Sequence, residues 1–127
     1  MLDTLGHIRV GEAEYPIAFT LNVMEAIQEQ YGSMKKWGEA VQPKDEEPRI
    51  KDLIWTYKEF LNEGIDIENE ESAEAKPLLT EKQVGRLISN VGLVEAIKVM
   101  QNITTKSTKG SSEDNPNLKT VQNQTNQ

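Results

Sequence analysis

The sequence predicts a mainly α-helical protein, α+β in detail, in which about five helices pack behind a short N-terminal β-hairpin. Two observations indicate this fold class. Apolar residues alternate with polar ones near the N-terminus, and in the later segments they recur every three or four positions. With 127 residues, the chain has the length of one domain. Only 36% of its residues are hydrophobic, so part of the chain is expected to lie outside the core.

Residues 7–19 are predicted to form the hairpin. Ile8 and Val10 alternate with polar neighbours, which is typical of a half-buried strand. Gly11-Glu12 supplies the turn, and an extended pattern resumes after it. Pro16 has no backbone N–H, so its strand is expected to be short or to lie at a sheet edge. Because an isolated hairpin is marginal in water, it must pack on helices or pair with another chain.

The first two helices are predicted from the residues at their ends. Asn22, followed three positions later by Glu25, matches a capping box, so the first helix is expected to begin near Asn22. Gly32 is expected to end this helix, because glycine commonly follows a helix. Ser33 then stands where it can cap a short second helix that runs to Val41.

A third helix is predicted between two irregular segments. Two prolines and four charged residues exclude a regular element from Gln42–Pro48. Arg49–Asn62 is predicted to be helical, with Gly64 ending the helix. Its apolar stripe consists of Ile50, Leu53, Ile54, Tyr57 and Leu61. Residues 62–76 are crowded with carboxylates and are expected to form an acidic loop.

Two more helices complete a predicted domain of residues 1–103. Thr80-Glu81-Lys82-Gln83 matches a capping box, and Leu79 is placed to pack on Val84 as a hydrophobic staple. Asn90-Val91-Gly92 is expected to break the run, and the apolar stripe of a final helix then continues to Ile103.

The segment Thr104–Gln127 is predicted to be a disordered polar tail. Leu118 and Val121 are its only sizeable apolar residues. Such a segment cannot bury enough surface to offset the entropy lost on ordering. The alternative is a tail that folds on a partner.

The charge of the chain indicates which partners it lacks. It has 21 acidic and 14 basic residues, which gives a net charge of -7. Nucleic-acid binders usually present a basic surface, and anionic membranes attract basic segments, so we expect no nucleic acid and no membrane as partners. No apolar run is long enough to span a bilayer, and no secretory signal pattern is found. A soluble, cytoplasmic protein with protein partners is expected.

The composition also disfavours catalytic and metal sites. Cysteine is absent and His7 is the only histidine, which excludes thiolate chemistry and any site with two imidazoles. The common phosphate-binding glycine motifs do not occur. Asp66–Glu70 begins like a calcium loop, but Glu71 stands where that loop needs glycine. We therefore expect a protein that is not an enzyme and has no cofactor and no metal, with His7 exposed on its strand.

Three large aromatic residues are the candidates for partner binding: Trp37, Trp55 and Phe60. Such residues often anchor interfaces, and they also commonly fill small cores. Trp55 lies well away from the apolar stripe of its helix, and Phe60 lies at the edge of that stripe. Core is the favoured interpretation for Trp37. For Trp55, core and interface stay open.

Several motifs, in their order, resemble the tail assembly chaperones of long-tailed bacteriophages, the G-like proteins of siphophages and their prophages. The motifs are YPIAFTLN at Tyr15–Asn22, QYGSM at Gln30–Met34, NEG at Asn62–Gly64 and PLLTEKQV at Pro77–Val84. The resemblance covers roughly residues 5–103, and it marks residues 1–103 as a chaperone-like domain.

The resemblance implies a specific function. Chaperones of this family coat the tape measure protein, a very long, helical and apolar chain, and keep it soluble until tail tube subunits polymerise around it. They act in the host cytoplasm and are absent from the finished virion. In many relatives a ribosomal frameshift adds a domain that recruits the tail tube protein, and Thr104–Gln127 stands where that junction is expected. The strand at His7–Val10 offers a route to self-association by strand pairing.

Two other functions stay open. A small acidic regulatory or adaptor protein is one, either an anti-repressor or an inhibitor that mimics nucleic acid. A mimic would present its acids in regular rows, whereas many acids here cluster in Asp45–Glu47 and Asp66–Glu74. The other is a minor structural tail protein that stays in the particle.

Overall fold

The computed structural model describes the backbone of residues 6–113 and the side chains of residues 6–105. Within these residues, five helices follow an N-terminal antiparallel hairpin, which confirms the predicted fold class. The elements in chain order are β1 (Gly6–Val10), β2 (Ala13–Ile17), α1 (Leu21–Tyr31), α2 (Met34–Val41), α3 (Ile50–Glu71), α4 (Glu81–Val91) and α5 (Leu93–Glu113).

The hairpin forms as the sequence predicts. Gly11 takes a φ of 64° in the turn, a left-handed conformation that glycine adopts at little cost. Ile8 pairs with Tyr15, and Ile8 is buried against the helices. In a sheet of two strands both strands are edges, which is where the missing N–H of Pro16 is tolerated.

The cap of α1 differs from the prediction. Thr20, rather than Asn22, is the N-cap, and its hydroxyl oxygen accepts a hydrogen bond from the Val23 backbone N–H at 3.4 Å. The same hydroxyl donates to Glu63 Oε2 at 2.6 Å, and the Asn22 amide donates to that oxygen at 3.1 Å. The Glu63 carboxylate therefore binds both the observed cap and the predicted one, and the helix begins one residue before Asn22.

Both ends of α2 agree with the sequence. Ser33 is the N-cap, and its hydroxyl accepts from the Lys36 backbone N–H at 3.0 Å. The helix ends at Val41, and the proline-containing segment after it has no regular secondary structure.

Helix α3 extends well beyond its predicted end. It runs to Glu71, so the predictions that Gly64 ends the helix and that an acidic loop begins at residue 62 are wrong. Gly64 is buried inside the helix, where an added Cβ would lie 2.7 Å from the Pro16 carbonyl carbon and oxygen. The glycine is needed because helix and strand approach closely, and the helix continues through it.

Two asparagines fasten the second half of α3 to the chain that returns from it. Asn62 accepts from the Leu79 backbone N–H at 2.8 Å and donates to the Leu79 carbonyl at 3.1 Å. Asn69 makes the same pair of bonds to Lys76, at 2.8 and 2.9 Å. Each side chain thereby replaces a backbone partner, and the two hold the irregular segment 76–79 along the helix.

The start of α4 confirms the predicted capping box. The Thr80 hydroxyl accepts from the Gln83 N–H at 3.2 Å, and the Gln83 side chain accepts from the Thr80 N–H at 2.8 Å. Gly92, with φ of 100°, separates α4 from α5 as expected.

Helix α5 continues past the predicted boundary at Ile103. Its backbone is helical to Glu113. Extension of an existing helix adds one hydrogen bond for each residue fixed, so polar residues can follow a packed segment without a new nucleus. Residues 104–113 of the predicted tail thus have a helical backbone, and residues 114–127 lie outside the described residues. Disorder of the tail in solution stays a prediction.

The core lies between the hairpin and the helices, with α3 at its centre. Leu53, Tyr57 and Leu61 of α3 are fully buried, whereas Ile50, at the start of the same predicted stripe, is 52% exposed. The Tyr57 hydroxyl donates to the Ala96 carbonyl at 2.6 Å and ties α3 to α5. Burial of that hydroxyl raises the pKa of Tyr57 well above its usual range, so it stays a donor.

Candidate functional site

Two of the three aromatic candidates lie in the core. Trp37 is 5% exposed and Phe60 is 1% exposed, and both rings pack with Phe19. The Trp37 indole N–H donates to the Thr56 hydroxyl at 2.9 Å, which satisfies two buried polar groups. The favoured core assignment of Trp37 therefore holds, and Phe60 lies inside the stripe rather than at its edge. Neither side chain offers a partner surface in this conformation.

Trp55 lies at the surface of the core. It is half-buried, and its ring meets the Tyr31 ring edge-to-face, with centroids 5.4 Å apart and an interplanar angle of 79°. The sequence left core and interface open for this residue. The structure packs part of the ring against the core and leaves part of it open to solvent, so a role in partner binding stays a prediction.

Trp55 lines a groove between the end of α1 and the first turns of α3 and α4. This Trp55 groove has a volume of about 350 Å³, at the lower end of the range for ligand pockets. Gly85 of α4 has no side chain to fill the groove. An added Cβ at this position would contact the Ile54 side chain of α3 at 3.5 Å. The residues that line the groove are Gln30, Tyr31, Lys51, Asp52, Ile54, Trp55, Glu81, Lys82 and Gly85.

A hydrogen bond between Tyr31 and Asp52 forms one wall of the Trp55 groove. The Tyr31 hydroxyl donates to Asp52 Oδ1 at 2.6 Å. Burial, and then the bond to Asp52, raise the pKa of Tyr31 well above its usual range, so the phenol stays protonated and keeps donating. Arg49 Nε lies 4.0 Å from Asp52 Oδ2. This wall is therefore fixed, and it holds the Tyr31 ring against Trp55.

A second cavity lies on the other half of α3. This acidic cleft, of about 250 Å³, is lined by Asn22, Val23, Glu59, Asn62, Glu63, Asp66 and Leu78. Its three carboxylates follow one face of α3 at four-residue and three-residue steps. Burial raises the pKa of Glu59; Lys58 opposes this shift and Glu63 adds to it.

The candidate calcium segment is helical. Asp66–Glu71 belongs to α3, so its oxygens radiate around a helix and cannot wrap one ion as a loop does. Among the described residues, no group of three or more His, Cys, Asp or Glu side chains is placed to hold a metal ion. His7 is exposed on β1, as expected, and its Nε2 lies 3.1 Å from Glu68 of α3.

The sequence identified one residue of the Trp55 groove and missed the others. The sequence carries no signal of a site at Tyr31, Lys51, Asp52 or Lys82. Their proximity depends on how α1, α3 and α4 cross. The available clue was Trp55 itself, because a large apolar residue off the core stripe requires a second apolar surface.

No family model matches the chain, and neither do curated proteins or solved structures. The resemblance to tail assembly chaperones thus depends on the sequence motifs alone and stays a prediction. Across the described part of the chain, every helix is too short or too polar to cross a membrane.

Proposed function

We propose that this protein is a phage tail assembly chaperone that binds the tape measure protein and keeps it soluble while tail tube subunits assemble. It acts in the host cytoplasm and is not retained in the virion. The observation that carries the proposal is the Trp55 groove, an apolar depression between three helices with a half-buried tryptophan in it. It supports binding of a helical client, and the sequence motifs support the identity of that client.

The groove suits the side chains of an amphipathic helix. In helix-in-groove recognition, a few apolar anchors at helical spacing enter a groove of the receptor. Tyr31 and Ile54 flank Trp55 and supply aromatic and aliphatic contact area. A tryptophan in such a position is a typical binding hot spot.

The charge of the protein suits a solubilising coat. Its net charge of -7 resists aggregation of a complex in which apolar client segments are covered. Several copies along one elongated client would repeat this charge. Recruitment of the tail tube protein, and self-association through the edge of β1, are further parts of the same proposal.

Co-expression with the tape measure protein of the same genome tests the proposal. The client should be soluble with this chain and insoluble without it. Trp55→Ala should weaken client binding by about 2 kcal/mol or more, which is about thirtyfold. Leu78→Ala is the matched control, because Leu78 is 49% exposed and lies outside the Trp55 groove.

Equal insolubility of the client with and without this chain would overturn the proposal. Mass spectrometry of purified particles separates a chaperone, which should be missing, from a structural tail protein. If Trp55→Ala unfolds the protein while the remaining folded fraction still binds, Trp55 is a core residue and the anchor lies elsewhere.

A further inference from the structure

Two unpaired cations stand on the rim of the Trp55 groove. Lys51 lies in the first turn of α3 and Lys82 in the first turn of α4, and both are exposed. Within the part of the chain that the structure describes, neither ammonium group has a carboxylate within 4.0 Å. The two charges come from different helices, so they approach a bound ligand from two sides.

One of the two carboxylates at the same rim is less available. Asp52 accepts the Tyr31 hydroxyl bond at 2.6 Å, lies near Arg49, and has a side chain only 18% exposed. Glu81, in the first turn of α4, is exposed and contributes one negative charge to the rim, against the two positive charges of the lysines. The groove is therefore an apolar depression edged by two cations that are free to pair.

We propose that the Trp55 groove recognises a helical client segment in which one bulky apolar anchor is flanked by acidic residues. This inference rests on the proposed function and names the chemistry of the segment bound. Positions three or four residues before and after an anchor lie on its face of a helix. Carboxylates at those positions reach to both sides of the groove, where they pair with Lys51 and Lys82.

The acidic cleft limits where such a segment can lie. Glu59, Glu63 and Asp66 line the other half of α3, and they repel a client segment that carries acids. An acidic client helix is therefore held at the groove and kept away from the cleft. Charge thus sets the position of the contact, and the apolar anchor supplies most of its affinity.

Overlapping peptides of the tape measure protein, each about 20 residues long, test the proposal against the full chain. Peptides that bind should contain an apolar anchor with Asp or Glu three or four positions away. The double variant Lys51→Glu/Lys82→Glu should bind them at least about tenfold more weakly. The matched control is Lys76→Glu/Lys98→Glu, which makes the same charge change at exposed positions outside the groove and should leave affinity within about twofold.

A charge swap makes the test specific. When the two flanking acids of a bound peptide are replaced by lysine, wild-type affinity should fall about tenfold, and Lys51→Glu/Lys82→Glu should recover it. An affinity that is unchanged by both charge changes would overturn the inference while the chaperone function stands. So would bound peptides whose anchors are flanked by Lys or Arg. Absence of binding between wild-type protein and full-length client would instead overturn the proposed function, and this inference with it.

Discussion

The two halves of α3 are held in place by different means. The first half, Ile50–Leu61, contributes fully buried apolar side chains such as Leu53 and Tyr57. The second half, Asn62–Glu71, buries Gly64 and Ile65 but is otherwise rich in acids and amides. Side-chain burial fixes the first half. The second half is fixed by close backbone contact and by the side-chain hydrogen bonds of its two asparagines, which we call the polar clamps.

The partners of the second half are distant in sequence. Glu63 accepts from Thr20, Asn62 holds Leu79, and Gly64 lies against Pro16. Each contact joins two segments that meet only in the folded protein. The comparison teaches that a helix without a long apolar stripe can persist where another part of the chain supplies its partners.

Phe60→Ala tests the burial that fixes the first half of α3. It is expected to have the largest effect on the free energy of unfolding. The ring is 1% exposed and packs with Phe19, Trp37 and Tyr57. Its removal should lower the free energy of unfolding by about 3–5 kcal/mol. Ile50→Ala, in the same half but at a side chain that is 52% exposed, should cost less than about 1 kcal/mol. Equal losses in urea unfolding would show that burial is not what distinguishes the two sites.

Gly64→Ala tests the close backbone contact of the second half. The new methyl group would lie 2.7 Å from the Pro16 carbonyl, so helix and strand must separate, at a cost of about 1–3 kcal/mol. Gly85→Ala is the matched control, because its methyl group meets Ile54 at an ordinary 3.5 Å. That variant should gain up to about 1 kcal/mol from helix propensity. Opposite shifts in Tm are expected, and stabilisation by both substitutions would rule out the close approach.

Asn62→Ala tests the polar clamps. It removes two hydrogen bonds to Leu79 at a partly buried site, so the free energy of unfolding should fall by about 1–2 kcal/mol. Asn69→Ala removes the equivalent pair to Lys76 at an exposed site, where water can replace it, and should cost about half as much or less. Hydrogen exchange should show faster opening at Leu79 in the first variant. If Asn69→Ala costs more, burial does not set the strength of the clamps.

Glu59→Gln should have the smallest effect on the free energy of unfolding, and this effect should depend on pH. Burial raises the folded-state pKa of Glu59, so the folded protein binds the proton more tightly than the unfolded chain. The free energy of unfolding therefore falls as pH rises from the unfolded pKa to the folded one. At pH 7, Glu59→Gln should raise stability slightly, by no more than about 0.5 kcal/mol at this half-buried site. The gain should vanish near pH 4, and Glu70→Gln, the same change at an exposed site of α3, is the matched control.

Much of the fold could be predicted because its signals are local. The turn at Gly11, the Ser33 cap and the reciprocal bonds of Thr80 and Gln83 involve residues within four positions of each other. The candidate site was harder to predict. Trp55 was found through its departure from the stripe, but Tyr31 and Lys82 come from other helices and join it only after those helices pack.

The sequence by itself determined the fold class, the hairpin and the caps of α2 and α4, because short-range hydrogen bonds and apolar periodicity specify them. Tertiary structure decided the N-cap of α1, the full length of α3 and the groove around Trp55. In each case the deciding group lies far along the chain: Glu63 for Thr20, Pro16 for Gly64 and Tyr31 for Trp55. A glycine or a cluster of acids has no fixed structural meaning until its neighbours in space are known. In the second half of α3, the free energy that favours helix over loop comes from those neighbours.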